Sequence, residues 1–262
     1  MKIVEFEHVN VAYEEENVLK DISLAIKEGE HTAIIGANGS GKSTLIKLFS
    51  NDLYPRFSLD MVKEVFGKKV WDIWELKKHL GIITNELHYE FTQRAGFLNA
   101  FEVTLSGFYS SFHIYEHQEF SPLHVNKVNE VLSFLEIEHL RHKRISEMST
   151  GEIRKCIIAR ALVHNPKAMI LDEPTVGLDI KAQINFVSMM QKLSTQTTII
   201  LITHHLEEIF EEIQTVVMIK SGEIYQRGKK EDLLNDTQLS YLFDIPLHVS
   251  CDKGRYSIAN IN

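Results

Sequence analysis

Several residue types that mark whole classes of protein are scarce in this sequence. There are two cysteines, Cys156 and Cys251, far apart in the chain. They offer neither a disulfide framework nor a zinc spacing, and reduced thiols in a cytosolic protein are the expectation. With five prolines and no Pro/Gly-rich linker, no domain boundary is announced. Internal repeats and low-complexity tracts are also missing. The opening MKIVEFEHVN lacks the apolar centre of a signal peptide. The longest run free of Asp, Glu, Lys and Arg, Leu193–Leu206, is too short and too polar to cross a bilayer. Work at a membrane would need a second chain to supply the membrane part. Positive charge is in deficit too, with 28 Lys and Arg against 36 Asp and Glu and a net charge of -8. Such a surface repels a phosphate backbone, so no nucleic-acid partner is expected, although a local pocket for one nucleotide remains compatible.

What is present fits one large α/β domain, or a core domain carrying a small subdomain: 262 residues, 44% of them hydrophobic. KIVEFEHVNVAY, VLKDISLAI and HTAII read as strands, with a turn at Glu28-Gly29-Glu30 and a helix from Lys42 into Phe49. The stretch 87–147 is richer in Phe, Tyr and His, and Val128, Val131, Leu132 and Leu135 predict a helix there. Beyond it, strands over Ala168–Leu171, Thr198–Thr203 and Thr215–Lys220 alternate with helical stripes at Ile184–Leu193 and at Leu206, Ile209, Phe210 and Ile213. Ser221-Gly222 turns the last strand into EIYQRG. A helix near Lys230–Leu234 and irregular structure beyond complete the chain. Alternation of this kind predicts a mostly parallel sheet covered by helices. Among thirteen histidines, His113 and His117 are four apart, a spacing that would put two imidazoles on one helix face. With no carboxylate or cysteine signature beside them they are expected as surface histidines.

Residues Gly36-Ala37-Asn38-Gly39-Ser40-Gly41-Lys42-Ser43-Thr44 satisfy G-x-x-x-x-G-K-[ST]. The glycines let successive backbone N–H groups turn in around a phosphate oxygen. Lys42 supplies a point charge for β- and γ-phosphates, the Ser43 hydroxyl suits Mg²⁺, and the helix start adds its partial positive charge. Downstream, Ala168-Met-Ile-Leu-Asp172-Glu173-Pro174 is an apolar strand ending in two carboxylates. Such carboxylates are expensive at a strand end unless something positive meets them. A magnesium ion on the phosphates would do so, with Asp172 on the metal side and Glu173 as the group that orients and deprotonates water. His204 ends the next strand, where an imidazole can donate to a γ-phosphate oxygen; His205 competes for that role.

These residues together resemble the ATP-binding subunit of an ABC (ATP-binding cassette) transporter, over nearly the whole length. Met148-Ser149-Thr150-Gly151-Glu152 resembles the family signature L-S-G-G-Q, and Gly177-Leu178-Asp179 resembles its D-loop. His204 matches the switch histidine, and Tyr13 matches the aromatic that stacks on adenine. Asn85 stands where the family usually has Gln, one methylene shorter, and is a candidate for the nucleotide and for Mg²⁺. Thr150 and Glu152 replace Gly and Gln; the Glu152 charge near a phosphate would be costly unless it points away or pairs with Arg154 or Lys155. The S-T-G-E form, with EVFGKK and Ile73-Trp-Glu-Leu-Lys-Lys78, is similar to cassettes of the metal-complex and molybdate import group.

The resemblance implies a P-loop NTPase core with a parallel sheet, an antiparallel β subdomain and an inserted helical subdomain. Its implied bounds are 1–86 and 156–262 for the core and 87–155 for the helical part of one cassette, 1–262. It further implies ATP hydrolysis with Mg²⁺, and a homodimer in which Ser149, Thr150, Gly151 and Glu152 complete the partner's ATP site. Separate membrane permease subunits would hold the chain at the cytoplasmic face of the cell membrane, in import. The alternative is a soluble ATP switch of the same family that attaches to no permease.

Overall fold

The computed structural model describes residues 1–261, with side chains to Ile258. The chain packs as two units, Met1–Ile73 with Met190–Asn262, and Trp74–Met189.

The first unit opens with β1 (Lys2–Tyr13) and β2 (Glu16–Lys27), antiparallel partners. Burial in β1 steps from Phe6 to Val9, and in β2 from Leu19 to Ile22, a change of parity in each strand. Register shifts flank Val9, and His8 and Asp21 sit at φ 52 and 49. Each bulge inserts one residue, which returns the following apolar side chains to the core face. β3 (Thr32–Ile35) is buried throughout, and α1 (Lys42–Phe49) sets Phe49 against Phe6 with ring centroids 5.5 Å apart. β4 (Val62–Val65) pairs with the other edge of β1.

α2 (Ile73–His79) leads into the second unit, followed by β5 (Leu80–Ile83), α3 (Asn85–Arg94), α4 (Ala100–Ser106), α5 (Pro122–Phe134), α6 (Thr150–Leu162), β6 (Ala168–Asp172) and α7 (Ile180–Ser194). β5 and β6 pair in parallel. The Val128, Val131, Leu132 and Leu135 stripe is buried as the spacing predicts. Asn99 closes a capping box with Glu102 at the start of α4. This unit is wider than the 87–155 segment because β5 and β6 pack with its helices.

Back in the first unit, β7 (Thr198–Thr203) and β8 (Thr215–Lys220) flank β3 in parallel. Burial on both faces explains their unbroken apolar sequences. β9 (Glu223–Lys229) returns antiparallel to β8 through Ser221 and Gly222, both at positive φ. α8 (Lys230–Leu233), α9 (Asp236–Phe243), β10 (Leu247–Asp252) and β11 (Arg255–Ile261) complete the described chain.

Three expectations change. Leu206, Ile209, Phe210 and Ile213 are all buried, yet only Leu206–Glu208 makes a single 3-10 turn, and Ile209 is extended at φ -79, ψ 98. Their spacing records burial of an irregular segment and not a helical period. The tail is regular: Asn235 accepts from the Gln238 N–H at 3.0 Å to start α9, and β10 and β11 form an antiparallel hairpin. His113 and His117 lie outside any helix. His113 stacks on Phe97 with centroids 5.3 Å apart, and His117 stacks on Tyr115 at 5.6 Å.

Candidate functional site

The candidate residues divide between the two units. In the first, β3 ends at Ile35 and the Gly36–Gly41 loop carries the chain into α1. Gly41 is the residue before the helix, at φ 105 and ψ 3, and no side chain caps it. No acidic residue stands in the first turn of α1. The leading N–H groups of this helix therefore keep their positive end uncompensated by a local side chain. A Cβ at Gly41 would lie 2.6 Å from Leu19 Cδ2, and one at Gly36 would lie 2.3 Å from the Ile219 carbonyl oxygen. Only glycine fits either place.

Lys42 is buried at 7% exposure, and its Nζ donates to the carbonyls of Gly36 at 2.8 Å and Ala37 at 2.9 Å. The ammonium thus draws the loop into a ring around its own charge. Ser40 lies beneath the loop, its N–H donating to Ala37 O at 3.2 Å. Asn38, Gly39 and Ser43 are exposed on the loop and first turn, while Thr44 is buried. Uncapped amides, a fixed ammonium and an exposed hydroxyl at one helix start fit a group with several anionic oxygens.

Elsewhere in this unit, Tyr13 ends β1 with 42% of its surface exposed, an aromatic face open to a planar group. Arg56 donates to Glu14 O at 3.1 Å and steadies the turn beside it. His204 follows β7, its ring centroid 4.0 Å from that of His205. The His205 N–H donates to Thr203 Oγ1 at 2.9 Å.

In the second unit Asp172 is the last residue of β6 and Glu173 the first beyond it, both half-buried. Glu173 has φ 45, left-handed for a residue with a side chain and directly before a proline. Both facts oppose that conformation, at a cost on the order of 1–2 kcal/mol. Strain of this kind persists only where the surroundings hold it. The Val176 N–H donates back to Glu173 O at 3.3 Å, and Asp179 Oδ1 accepts from the Ala182 N–H at 2.8 Å to start α7.

α6 begins differently from α1. Ser149 accepts from the Glu152 N–H at 3.3 Å, and Glu152 accepts from the Ser149 N–H at 2.7 Å, a complete capping box. The partner of Glu152 is Lys143, at 2.9 Å, and neither Arg154 nor Lys155. Glu152 and Arg154 are two apart and so leave the helix on different sides. Burial works to raise the Glu152 carboxyl, but Lys143 and the Ser149 amide and hydroxyl outweigh it and hold the group below its ordinary value. Its charge is therefore neutralised locally. The Ser149 hydroxyl accepts from the backbone and, together with the Ser149 amide, steadies the Glu152 carboxylate. Thr150 and Gly151 occupy the first turn of α6.

Asn85 opens α3 behind the Thr84 cap, which accepts from the Leu87 N–H at 3.1 Å. Its Oδ1 accepts from Arg154 Nη2 at 2.7 Å. Lys143 carries no mark in the sequence, and Arg154, offered by the sequence as a partner for Glu152, instead meets Asn85, 69 residues away.

Comparison with known proteins follows the same lines. The family model described as ABC transporter matches residues 19–176. The ABC transporter ATP-binding protein YlmA of Bacillus subtilis (strain 168) is 30% identical over 97% of this chain and 95% of its own length. Among solved structures, cbiO1 from Clostridium perfringens, described as part of the ABC transporter complex cbiONQ, superposes with TM-score 0.76 at 26% identity, covering 92% of this chain and 93% of that one. A dimeric post-hydrolysis state of the ATP-binding cassette MJ0796, bound to ADP and Pi, has TM-score 0.66 at 26% identity, covering 86% of this chain and 98% of that one.

Proposed function

This chain belongs to the ABC transporter ATP-binding family and is an ATPase, and from that premise we propose that it powers solute transport through separate membrane permease subunits. The observation that carries the reading is the uncapped, glycine-shaped start of α1 with Lys42 locked inside it. Gly36–Thr44 hold the phosphates of ATP, through backbone amides and the Lys42 charge. Tyr13 stacks on the adenine. Ser43 and Asp172 would hold Mg²⁺, which supplies charge neutralisation on the phosphate oxygens when bound. Glu173 orients water and takes its proton, and His204 donates to a γ-phosphate oxygen.

Ser149, Thr150 and Gly151 serve the nucleotide of a second copy of this chain. A two-fold pairing uses both surfaces twice and closes on itself, and the dimeric cassette of MJ0796 supports it. The helical segment 87–155 is proposed as the subdomain inserted in the core. No helix among the described residues is long and apolar enough to cross a membrane. A transport role therefore calls for other chains, and cbiO1 is described as part of the ABC transporter complex cbiONQ. The proposal puts the chain at the cytoplasmic face of the cell membrane. The direction is import, resting on the likeness of the S-T-G-E stretch and of Ile73–Lys78 to import cassettes.

The test is purification of the tagged chain from detergent-solubilised native membranes. An integral membrane chain should co-purify in stoichiometric amount and raise the rate of ATP hydrolysis. Recovery of the active ATPase wholly in the soluble fraction, with no membrane chain bound, would contradict the transport role.

A further inference from the structure

Arg154 is only 3% exposed, in the first half of α6. A guanidinium carries five donors and no acceptor, and burying it is costly unless those donors are met. Here Nη1 donates to the carbonyls of Pro174 and, at 3.1 Å, of Val176, while Nη2 donates to Asn85 Oδ1 at 2.7 Å. One side chain thus joins three segments of the same unit: the signature helix, the turn after Glu173 and the start of α3. His88, one turn beyond Asn85, lies in the field of Arg154. Burial first, and then Arg154, keep its imidazole below the ordinary value, against the opposing pull of the Thr150 backbone.

The turn that Arg154 grips is the one that holds Glu173 at φ 45. Its two captured carbonyls stand on either side of Thr175 and must face the same way to reach one nitrogen. Releasing them would let Glu173 relax toward the extended backbone that a residue before proline prefers. We propose that Arg154 is a positioning residue for hydrolysis, which holds the Glu173 carboxylate in place and ties that placement to Asn85. The proposal rests on Glu173 being the group that takes the proton of water.

Single-turnover hydrolysis at saturating Mg-ATP, with ATP affinity measured separately, tests it in Arg154→Met, Arg154→Lys, Asn85→Ala and the Arg154→Met/Asn85→Ala pair. Misplacing a reacting group by about 1 Å can cost about a hundredfold, so Arg154→Met should slow the step by at least about tenfold. Affinity should stay within about twofold, because the Gly36–Thr44 loop keeps its own bonds. A role confined to stability would lower both together, or neither. Lysine should restore part of the rate by reaching the carbonyls alone. The double variant should be no slower than Arg154→Met, since both changes break one network. Arg154→Met at the parental rate, or multiplicative effects in the pair, would overturn the proposal. If Arg154→Met does not fold, parental rates in both Arg154→Lys and Asn85→Ala would overturn it. Glu173→Gln is run alongside: parental turnover there would show that the Glu173 assignment has failed, whereas a dead Glu173→Gln beside a fully active Arg154→Met sinks the Arg154 inference alone.

Discussion

Two helices in this chain begin after a short polar loop, and they begin in opposite ways. α1 starts at a left-handed glycine with no side-chain cap, and the nearby charge is an ammonium that binds its own loop. α6 starts at a serine in a full capping box, with the anion of that box neutralised by Lys143. The first leaves its amides to a ligand, so its shape and its chemistry are inseparable. The second satisfies itself, so its shape is complete in the free chain and the first-turn amides are what it can offer. A helix start that holds its own nucleotide and one that serves another molecule's would differ in this way.

Removing the charge from the first start should have the largest effect. Lys42→Ala is expected to cost about 2–5 kcal/mol of interaction with the phosphates, or at least a thirtyfold loss in ATP affinity, with hydrolysis abolished. Parental turnover in this variant would mean that the α1 start is not a phosphate site. Gly41→Ala should come next, acting through shape. The new Cβ meets Leu19, and φ 105 suits no side chain. Overpacking and backbone strain together predict about 2–4 kcal/mol of lost stability, read by urea unfolding. A neutral outcome would show that the loop can re-form without its glycine.

Tyr13→Ala should weaken ATP binding by about 1–3 kcal/mol, while Tyr13→Phe should leave it unchanged, because stacking uses the ring and not the hydroxyl. A large loss with Phe would contradict the stacking role. The smallest effect belongs to the self-capped start. Glu152→Gln keeps the capping box and loses the Lys143 ion pair, a loss of about 0–1 kcal/mol near neutral pH. In the parent the Glu152 carboxyl is held below its ordinary value in the folded chain. As pH falls the unfolded chain takes up that proton first, so the extra stability is present above pH about 4.3 and disappears below it. The stability difference between parent and variant should therefore shrink on acidification. A difference that stays constant would show that Lys143 contributes nothing through charge.

The first start was readable from sequence because everything that makes it is local. Strand, glycines, lysine and hydroxyl lie within about a dozen consecutive positions, and β3 and α1 fall where the apolar pattern places them. The second start is readable as a hydroxyl before a helix, but its charge partner is neither of the two that the sequence offers. Lys143 reaches Glu152 from a preceding turn that carries no periodic signal. The partners that Arg154 does meet are hidden for the same reason, since burial of a charge is decided by segments distant in sequence. The four apolar residues at 206–213 mimic a helical stripe although they pack from an irregular segment. The terminal hairpin carried its mark in Lys253-Gly254, both at positive φ, between two short runs that alternate too weakly to read as strands.

The account turns on whether the α6 start acts on the ATP of a second copy, and Glu173→Gln gives the most direct access to it. Glutamine cannot accept the proton of water, so Lys42 and Asp172 should still bind Mg-ATP while the phosphate stays in place. ATP held between two surfaces stabilises their pairing for as long as it persists. Size-exclusion chromatography of Glu173→Gln should show a dimer with Mg-ATP and a monomer without it, and adding Ser149→Arg should return the protein to a monomer in both conditions. A monomer throughout, or a dimer that survives Ser149→Arg, would contradict the account.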